Sequence, residues 1–234
     1  MAVREKERKT VIALHGAGMG ADVWELLARK MPCEALNLPG HGTAAGPLLK
    51  TIEDMAAWVR AQIGDRPPRT VVLLGHSMGA LAALEAAQAP AVCAVVLAGA
   101  AAQMPVHPDL LKKARETPEA AAALILKWGV APAHAAAAEF LKGLLRPETL
   151  ANDLAACDAY AAGEKTALAM RKPALVLAGE ADKLASASAG RALAGMMPDA
   201  RFCALAGCGH MLMLENAAET AREIKAFAAA LEEF

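Results

Sequence analysis

The chain has 234 residues, 56% of them hydrophobic and 21% charged, with a formal net charge of −1. That length supports one domain with a large core, and the near-neutral charge offers no electrostatic case for nucleic acid as a partner. No apolar stretch is long enough to span a bilayer and the charged opening, residues 1–9, is unlike a signal peptide, so neither membrane nor export is expected.

In chain order, Val11-Ile12-Ala13-Leu14 predicts a buried strand near 10–14, followed by the glycine-rich loop His15-Gly16-Ala17-Gly18-Met19-Gly20. A helix near 22–31, a strand near 33–38 and a helix near 52–64 come next. Thr70-Val71-Val72-Leu73-Leu74 is β-branched and apolar, as in a strand buried on both faces, and strong helix formers follow from Ala80, predicting a helix near 77–89. Strands near 92–98, 173–179 and 200–205 then alternate with helices near 186–196 and 215–232. The alternation predicts an α/β fold with a mostly parallel, doubly wound sheet of about six strands.

Residues 103–170 break that alternation. The stretch is alanine-rich, carries no convincing strand, and offers helix starts at Thr117-Pro118-Glu119 and Arg146-Pro147-Glu148, where proline suits a first helical turn. It predicts an α-helical cap inserted into a core made of residues 1–102 and 171–234. Its apolar residues Leu110, Leu111, Leu124, Leu126, Trp128, Phe140, Leu144 and Leu145 are expected mostly in the core, with a minority facing a pocket.

Gly75-His76-Ser77-Met78-Gly79 places a serine in a GxSxG frame between a strand and a helix. Glycines at both ends permit a sharp turn that projects Ser77 Oγ outward, while the helix start aims backbone N–H groups at the same spot. A serine hydroxyl is a weak nucleophile without a base, and the base needs an acid to orient it. His210, in the loop after the last strand, and Asp182, just past the strand near 173–179, supply both in the chain order Ser, Asp, His. Glu180 is a second candidate for the acid. His76 reads as packing at the elbow, His41 falls in a turn, and His107 and His134 fall in the insert. An oxyanion hole requires two N–H donors, for which Ala17 and Met78 are the candidates. A phosphate-binding loop fits poorly, since the Lys-Ser/Thr ending and the GxGxxG spacing are both missing. The five cysteines, Cys33, Cys93, Cys157, Cys203 and Cys208, lack metal-ligand spacing and read as small buried apolar residues in a reducing cytoplasm, with Cys208 the only candidate for a reactive thiol.

Together His15-Gly16-Ala17-Gly18, Leu38-Pro39-Gly40-His41-Gly42, the elbow at 75–79, Gly179-Glu180-Ala181-Asp182 and Gly209-His210 resemble the α/β-hydrolase family over nearly the whole length. The elbow is most similar to small carboxylesterases and carbon–carbon bond hydrolases. The resemblance implies a catalytic triad of Ser77, His210 and Asp182, no metal and no other cofactor. Three departures stand out: Asn37 where relatives carry Asp, Lys183-Leu184-Ala185-Ser186 where many have a proline, and an opening too short for the antiparallel strands that often begin this fold.

The expectation is therefore a serine esterase acting on a small, mainly apolar carboxylic ester through an acyl-enzyme. Thioester or carbon–carbon cleavage is the alternative, and a slow-turnover ligand-binding protein is the alternative of another class. With 3% aromatic residues, the pocket should be walled by Leu, Met, Ala and Val, with Met19, Met78, Met104 and Met211 near the catalytic loops.

Overall fold

The computed structural model describes residues 9–231. Six strands, β1 (Thr10–Leu14), β2 (Glu34–Leu36), β3 (Val71–His76), β4 (Val92–Ala98), β5 (Ala174–Gly179) and β6 (Ala200–Leu205), form one sheet in the order β2-β1-β3-β4-β5-β6. Every pairing is parallel. β3, β4 and β5 are buried along their whole length, as their unbroken apolar runs require, while the edge strands β2 and β6 are partly exposed.

After β1 comes a 3₁₀ turn (Ala21–Trp24) and a short helix α1 (Glu25–Ala28); then α2 (Ile52–Ile63), α3 (Met78–Ala86), α4 (Pro108–Glu116), α5 (Pro118–Gly129), α6 (Ala135–Leu144), α7 (Pro147–Ala159), α8 (Gly163–Ala169), α9 (Ala187–Met196), α10 (Leu212–Glu215) and α11 (Ala217–Ala230). The chain steps from β1 to β2 in one direction and from β2 through β3 to β6 in the other. Right-handed crossovers therefore send α1 to one face and α2, α3 and α9 to the opposite face. α1 packs with α10 and α11, and α3 with α2 and α8, in accord with that division. The direction reverses between β1 and β3, so the crevice expected of a doubly wound sheet opens at the carboxyl ends of those two strands.

Several elements depart from the sequence expectation. The helix near 22–31 is instead the 3₁₀ turn and a single α-turn: Gly20 supplies no side-chain cap and Pro32 forces the chain to leave helical geometry. The strand near 33–38 has only three residues. The helix near 215–232 is α11, capped by Asn216 accepting from the Glu219 N–H at 3.1 Å, and the departure there is the short separate helix α10 that precedes it. The expected loss of opening antiparallel strands falls on residues 1–8, outside the described residues. Cys33 and Cys203 are half-buried instead of buried; all five cysteines are free.

Residues 103–170 hold the five helices α4 to α8. Pro118 and Pro147 open α5 and α7, and His107 with Pro108 opens α4, the imidazole accepting from the Asp109 N–H at 3.2 Å. Among the described residues no helix is long and apolar enough to cross a membrane.

Candidate active site

Ser77 lies between β3 and α3 with φ 53° and ψ −117°, a left-handed backbone unusual for a side chain larger than glycine. The turn is possible because α3 lies almost against the sheet. A Cβ at Gly79 would come within 2.5 Å of the Leu14 and His15 carbonyl oxygens, and one at Gly75 within 2.3 Å of the Gly79 oxygen. The Ser77 N–H is committed to the Ala98 carbonyl at 2.9 Å, which fixes the elbow to β4. Among the described residues its Oγ has no hydrogen-bond partner; it faces a cavity of about 370 Å³.

His210 opens onto the same cavity. Its Nδ1 lies 2.8 Å from Asp182 Oδ2, and Asp182 Oδ1 accepts from the Leu184 and Ala185 N–H groups at 2.7 and 2.9 Å. Burial acts to raise the Asp182 pKa, but the His210 charge and hydrogen bond and the two N–H donors together hold it below the ordinary carboxylate range. An ionised carboxylate only accepts, so His210 Nδ1 carries the proton of this pair and Nε2 is left with its lone pair for a base. Glu180, the other candidate acid, is exposed and makes no such contact. The missing proline after Asp182 is replaced by these hydrogen bonds and by Ser186, which caps α9 at 3.3 Å from the Ala189 N–H.

The loop after β1 is ordered from within. His15 Nε2 accepts from the Leu38 N–H at 3.1 Å, so Nδ1 is the protonated nitrogen and donates to Gly16 O at 2.9 Å. Burial pushes this imidazole down to about 4, keeping it neutral. The bond to Gly16 O holds the Gly16–Ala17 peptide, whose own N–H is that of Ala17. Neither the Ala17 nor the Met78 N–H is hydrogen-bonded among the described residues. Asn37 keeps an acceptor where an aspartate was expected: its Oδ1 takes the Ala21 N–H at 2.7 Å.

His76 lies beneath the site, its ring 4.7 Å from that of His210, and donates from Nε2 to the His210 carbonyl at 3.1 Å. Burial, reinforced by repulsion from His210, pushes it down to about 3, so it is a neutral support rather than a base. Two carboxylates that sequence reasoning left without a role also appear here. Glu215 Oε2 accepts from the Ala131 and Gly209 N–H groups at 2.9 and 2.8 Å, and its Oε1 from Met211 N–H at 2.9 Å, bracketing His210 on both sides. Asp153, from α7, reaches Gly18 and His41.

The cavity is walled by Ala17, Met19, Ser77, His210 and Met211 from the core loops, and by Met104, Leu110, Ile125, Trp128, Leu154 and Cys157 from the insert. Met78, expected near the pocket, is fully buried and does not line it. Trp128 and His107 add aromatic surface that the low aromatic content did not suggest. Cys208 is buried, and its thiol is pushed up to about 11 by burial first and then by Glu215, the reverse of activation.

A model of the alpha/beta hydrolase family matches residues 11–223. A pimeloyl-(acyl-carrier protein) methyl ester esterase of Aromatoleum aromaticum is 29% identical, over 89% of this chain and 94% of the relative. The structure of a thermophilic esterase superposes with a TM-score of 0.86 at 25% identity, covering 97% of this chain and 91% of that one. The enol-lactonase of Burkholderia xenovorans LB400 shares the fold, with a TM-score of 0.84 at 23% identity over 97% of this chain and 94% of the other. The matched region runs from β1 into α11, and the chain belongs to the alpha/beta hydrolase family.

Proposed function

We propose that this protein is a serine hydrolase that cleaves a small, mainly apolar carboxylic ester through an acyl-enzyme. The observation that carries the reading is the meeting of a strained serine, an Asp182–His210 couple with Nε2 free, and two unpaired N–H groups around one apolar cavity. Ser77 Oγ attacks the ester carbonyl as its proton passes to His210 Nε2. The oxyanion forms between the Ala17 and Met78 N–H groups, and His210 returns the proton to the departing alcohol. Water, activated by the same imidazole, then releases the acid. The insert acts as the cap, since its loop before α4 and the helices α4, α5 and α7 supply more than half of the wall.

A cavity of about 370 Å³ is at the small end for ligand sites and holds about a dozen water-sized groups, which suits a short acyl chain with a small alcohol. The Aromatoleum relative is named for a methyl ester, which supports the small alcohol, although the acyl group in that name is pimeloyl-(acyl-carrier protein) and not a short chain. Carbon–carbon cleavage of a dienoate would call for a fixed cation on the substrate carboxylate. Arg146 is tied to Asp22 at 2.8 Å, Arg171 to the Leu168 and Met170 carbonyls, and neither these nor Arg115 lines the cavity. The cation that does line the cavity, Lys183, is an exposed ammonium on a flexible stem and not a fixed bidentate arginine, which favours the ester over the diketone.

The test is labelling. A phosphonate should add one adduct, block hydrolysis of nitrophenyl butyrate, and fail to label Ser77→Ala. Stoichiometric adduct in that variant by intact mass, or none in the parent, would refute the assignment.

A further inference from the structure

We propose that Asp153, carried by the insert, is a positioning residue of the oxyanion hole. The proposal rests on the reading above that Ser77 is the nucleophile and Ala17 N–H an oxyanion donor. Asp153 is completely buried on α7, 135 residues from the glycine whose N–H it accepts. That bond, Gly18 N–H to Asp153 Oδ2, is 2.9 Å long, and the Arg146 N–H at the start of the same helix donates to Gly18 O at 2.8 Å. Both peptide planes that meet at Gly18 are thus held from the insert, while His15 holds the Gly16–Ala17 plane from the core. Ala17 sits between a plane fixed by the core and a plane fixed by Asp153.

The remaining valences of this carboxylate are filled. Oδ2 also accepts from His41 Nε2 at 2.9 Å and Thr149 Oγ1 at 3.3 Å, and Oδ1 from Asn152 Nδ2 at 3.2 Å. A fully buried carboxylate is costly and is a poor way to hold a helix in place, for which apolar packing suffices. Here it joins the Gly18 N–H beside the site to His41 of the core and to Thr149 and Asn152 of its own helix. Gly18 has φ +69° and no side chain, so nothing local stops its peptide from turning; a Cβ there would strike Leu150 of α7 at 2.4 Å. Without the Asp153 acceptor the Ala17–Gly18 peptide is free to turn about Ala17, and the Gly16–Ala17 plane that carries the Ala17 N–H is then held from one side only, by the His15 bond. Leu154 and Cys157 of the same helix line the cavity, so the element that touches the substrate chain also sets the oxyanion loop.

The experiment compares a transition-state mimic with a ground-state ligand. Butylboronic acid adds Ser77 Oγ to boron, the serine proton passing to His210 and the boronate carrying the negative charge at the oxyanion position. 1-Pentanol occupies the cavity without that charge. For Asp153→Ala, kcat on nitrophenyl butyrate should fall by about ten- to a hundredfold, and boronate affinity should fall in step. KM and pentanol inhibition should stay within about twofold of the parent, because uniform binding is untouched. Asp153→Asn keeps an acceptor oxygen for Gly18 N–H and should recover most of the loss, ending about two- to fivefold below the parent. If the Ala variant does not fold, the Asn variant decides by the same comparison. Equal weakening of both ligands in the folded variant, or no loss of kcat and boronate affinity, overturns the proposal. A parent enzyme that binds no boronate overturns the serine-hydrolase reading itself.

Discussion

Replacing Asp182 by asparagine should disable catalysis while leaving the site standing, and the hydrogen bonds fix how. Asp182 Oδ1 accepts from two backbone N–H groups at 2.7 and 2.9 Å. An amide must put its oxygen there, since an NH₂ would face two donors. The NH₂ then occupies the place of Oδ2, 2.8 Å from His210 Nδ1, and donates into it. The imidazole proton moves to Nε2, where a lone pair is needed to accept the Ser77 proton. Turning the amide over to restore the productive tautomer strands two buried donors, about 2–4 kcal/mol, and the stabilisation of the imidazolium by a charge is lost as well, about 1–3 kcal/mol. The sum, about 5 kcal/mol, is a fall in kcat of about 10³–10⁴-fold. Asp182 does not line the cavity, so KM should change little. Steady-state hydrolysis of nitrophenyl butyrate, with thermal unfolding as a control, reads both. A folded Asp182→Asn enzyme within about tenfold of the parent would refute the tautomer argument, and an equal loss in Glu180→Gln would transfer the role to Glu180.

Acid should unfold the protein early. His15 and His76, with pKa values pushed down by burial to about 4 and about 3 from 6.5, stay neutral in the fold while the unfolded chain protonates both. Stability should therefore fall by about 4 kcal/mol between pH 7 and pH 5. His41 works in the other sense: burial lowers its pKa but Asp153 raises it above 6.5, so its contribution is complete below 6.5 and is lost as pH rises from there through the folded value. Asp182, held low, begins to lose its contribution only below 3.8. Urea midpoints that do not move between pH 7 and 5 would contradict this. Glu215→Gln leaves one acceptor oxygen where two served three buried N–H groups, which should cost about 1–3 kcal/mol, lower Tm by several degrees and reduce kcat through the displaced His210 loop; an unchanged Tm would refute the bracket. Across nitrophenyl esters from acetate to palmitate, kcat/KM should rise about fourfold per methylene, from about 0.8 kcal/mol each, and drop once the cavity is full, so a preference for palmitate would sink the small-pocket argument.

The parts that sequence reasoning located are those whose cause is local. β3, β4 and β5 are continuous apolar runs, and Ser77 sits in a frame where Gly75 is demanded by a 2.3 Å approach to the Gly79 carbonyl within the same strand–turn–helix, while Gly79 itself answers to β1 at 2.5 Å. Pro118 and Pro147 mark helix starts by covalent geometry alone. The misses have non-local causes. Asp153 and Glu215 bond backbone groups 135 and 84 residues away, and a backbone N–H leaves no mark in a sequence. A signal was nevertheless present for Asp153: it lies on the same helical stripe as Leu150, Leu154 and Cys157, where a solvated carboxylate would not be placed. Glu215 likewise ends the apolar run Met211-Leu212-Met213-Leu214.

The distribution of buried polar groups explains why function and fragility share one edge of the sheet. His15, His41, His76, Ser77, Asp153, Asp182, His210 and Glu215 are all buried, and they gather where β1, β3, β5 and β6 end. The sheet below them is apolar and needs none of them for cohesion. Burying such groups is favourable only while each donor meets an acceptor, so their network tolerates little rearrangement. Loops held in this way keep N–H groups and an imidazole aimed before substrate arrives, which is what an oxyanion site requires. The same requirement makes the site the first part to yield when protons are added, because two of its imidazoles can persist only in the neutral state.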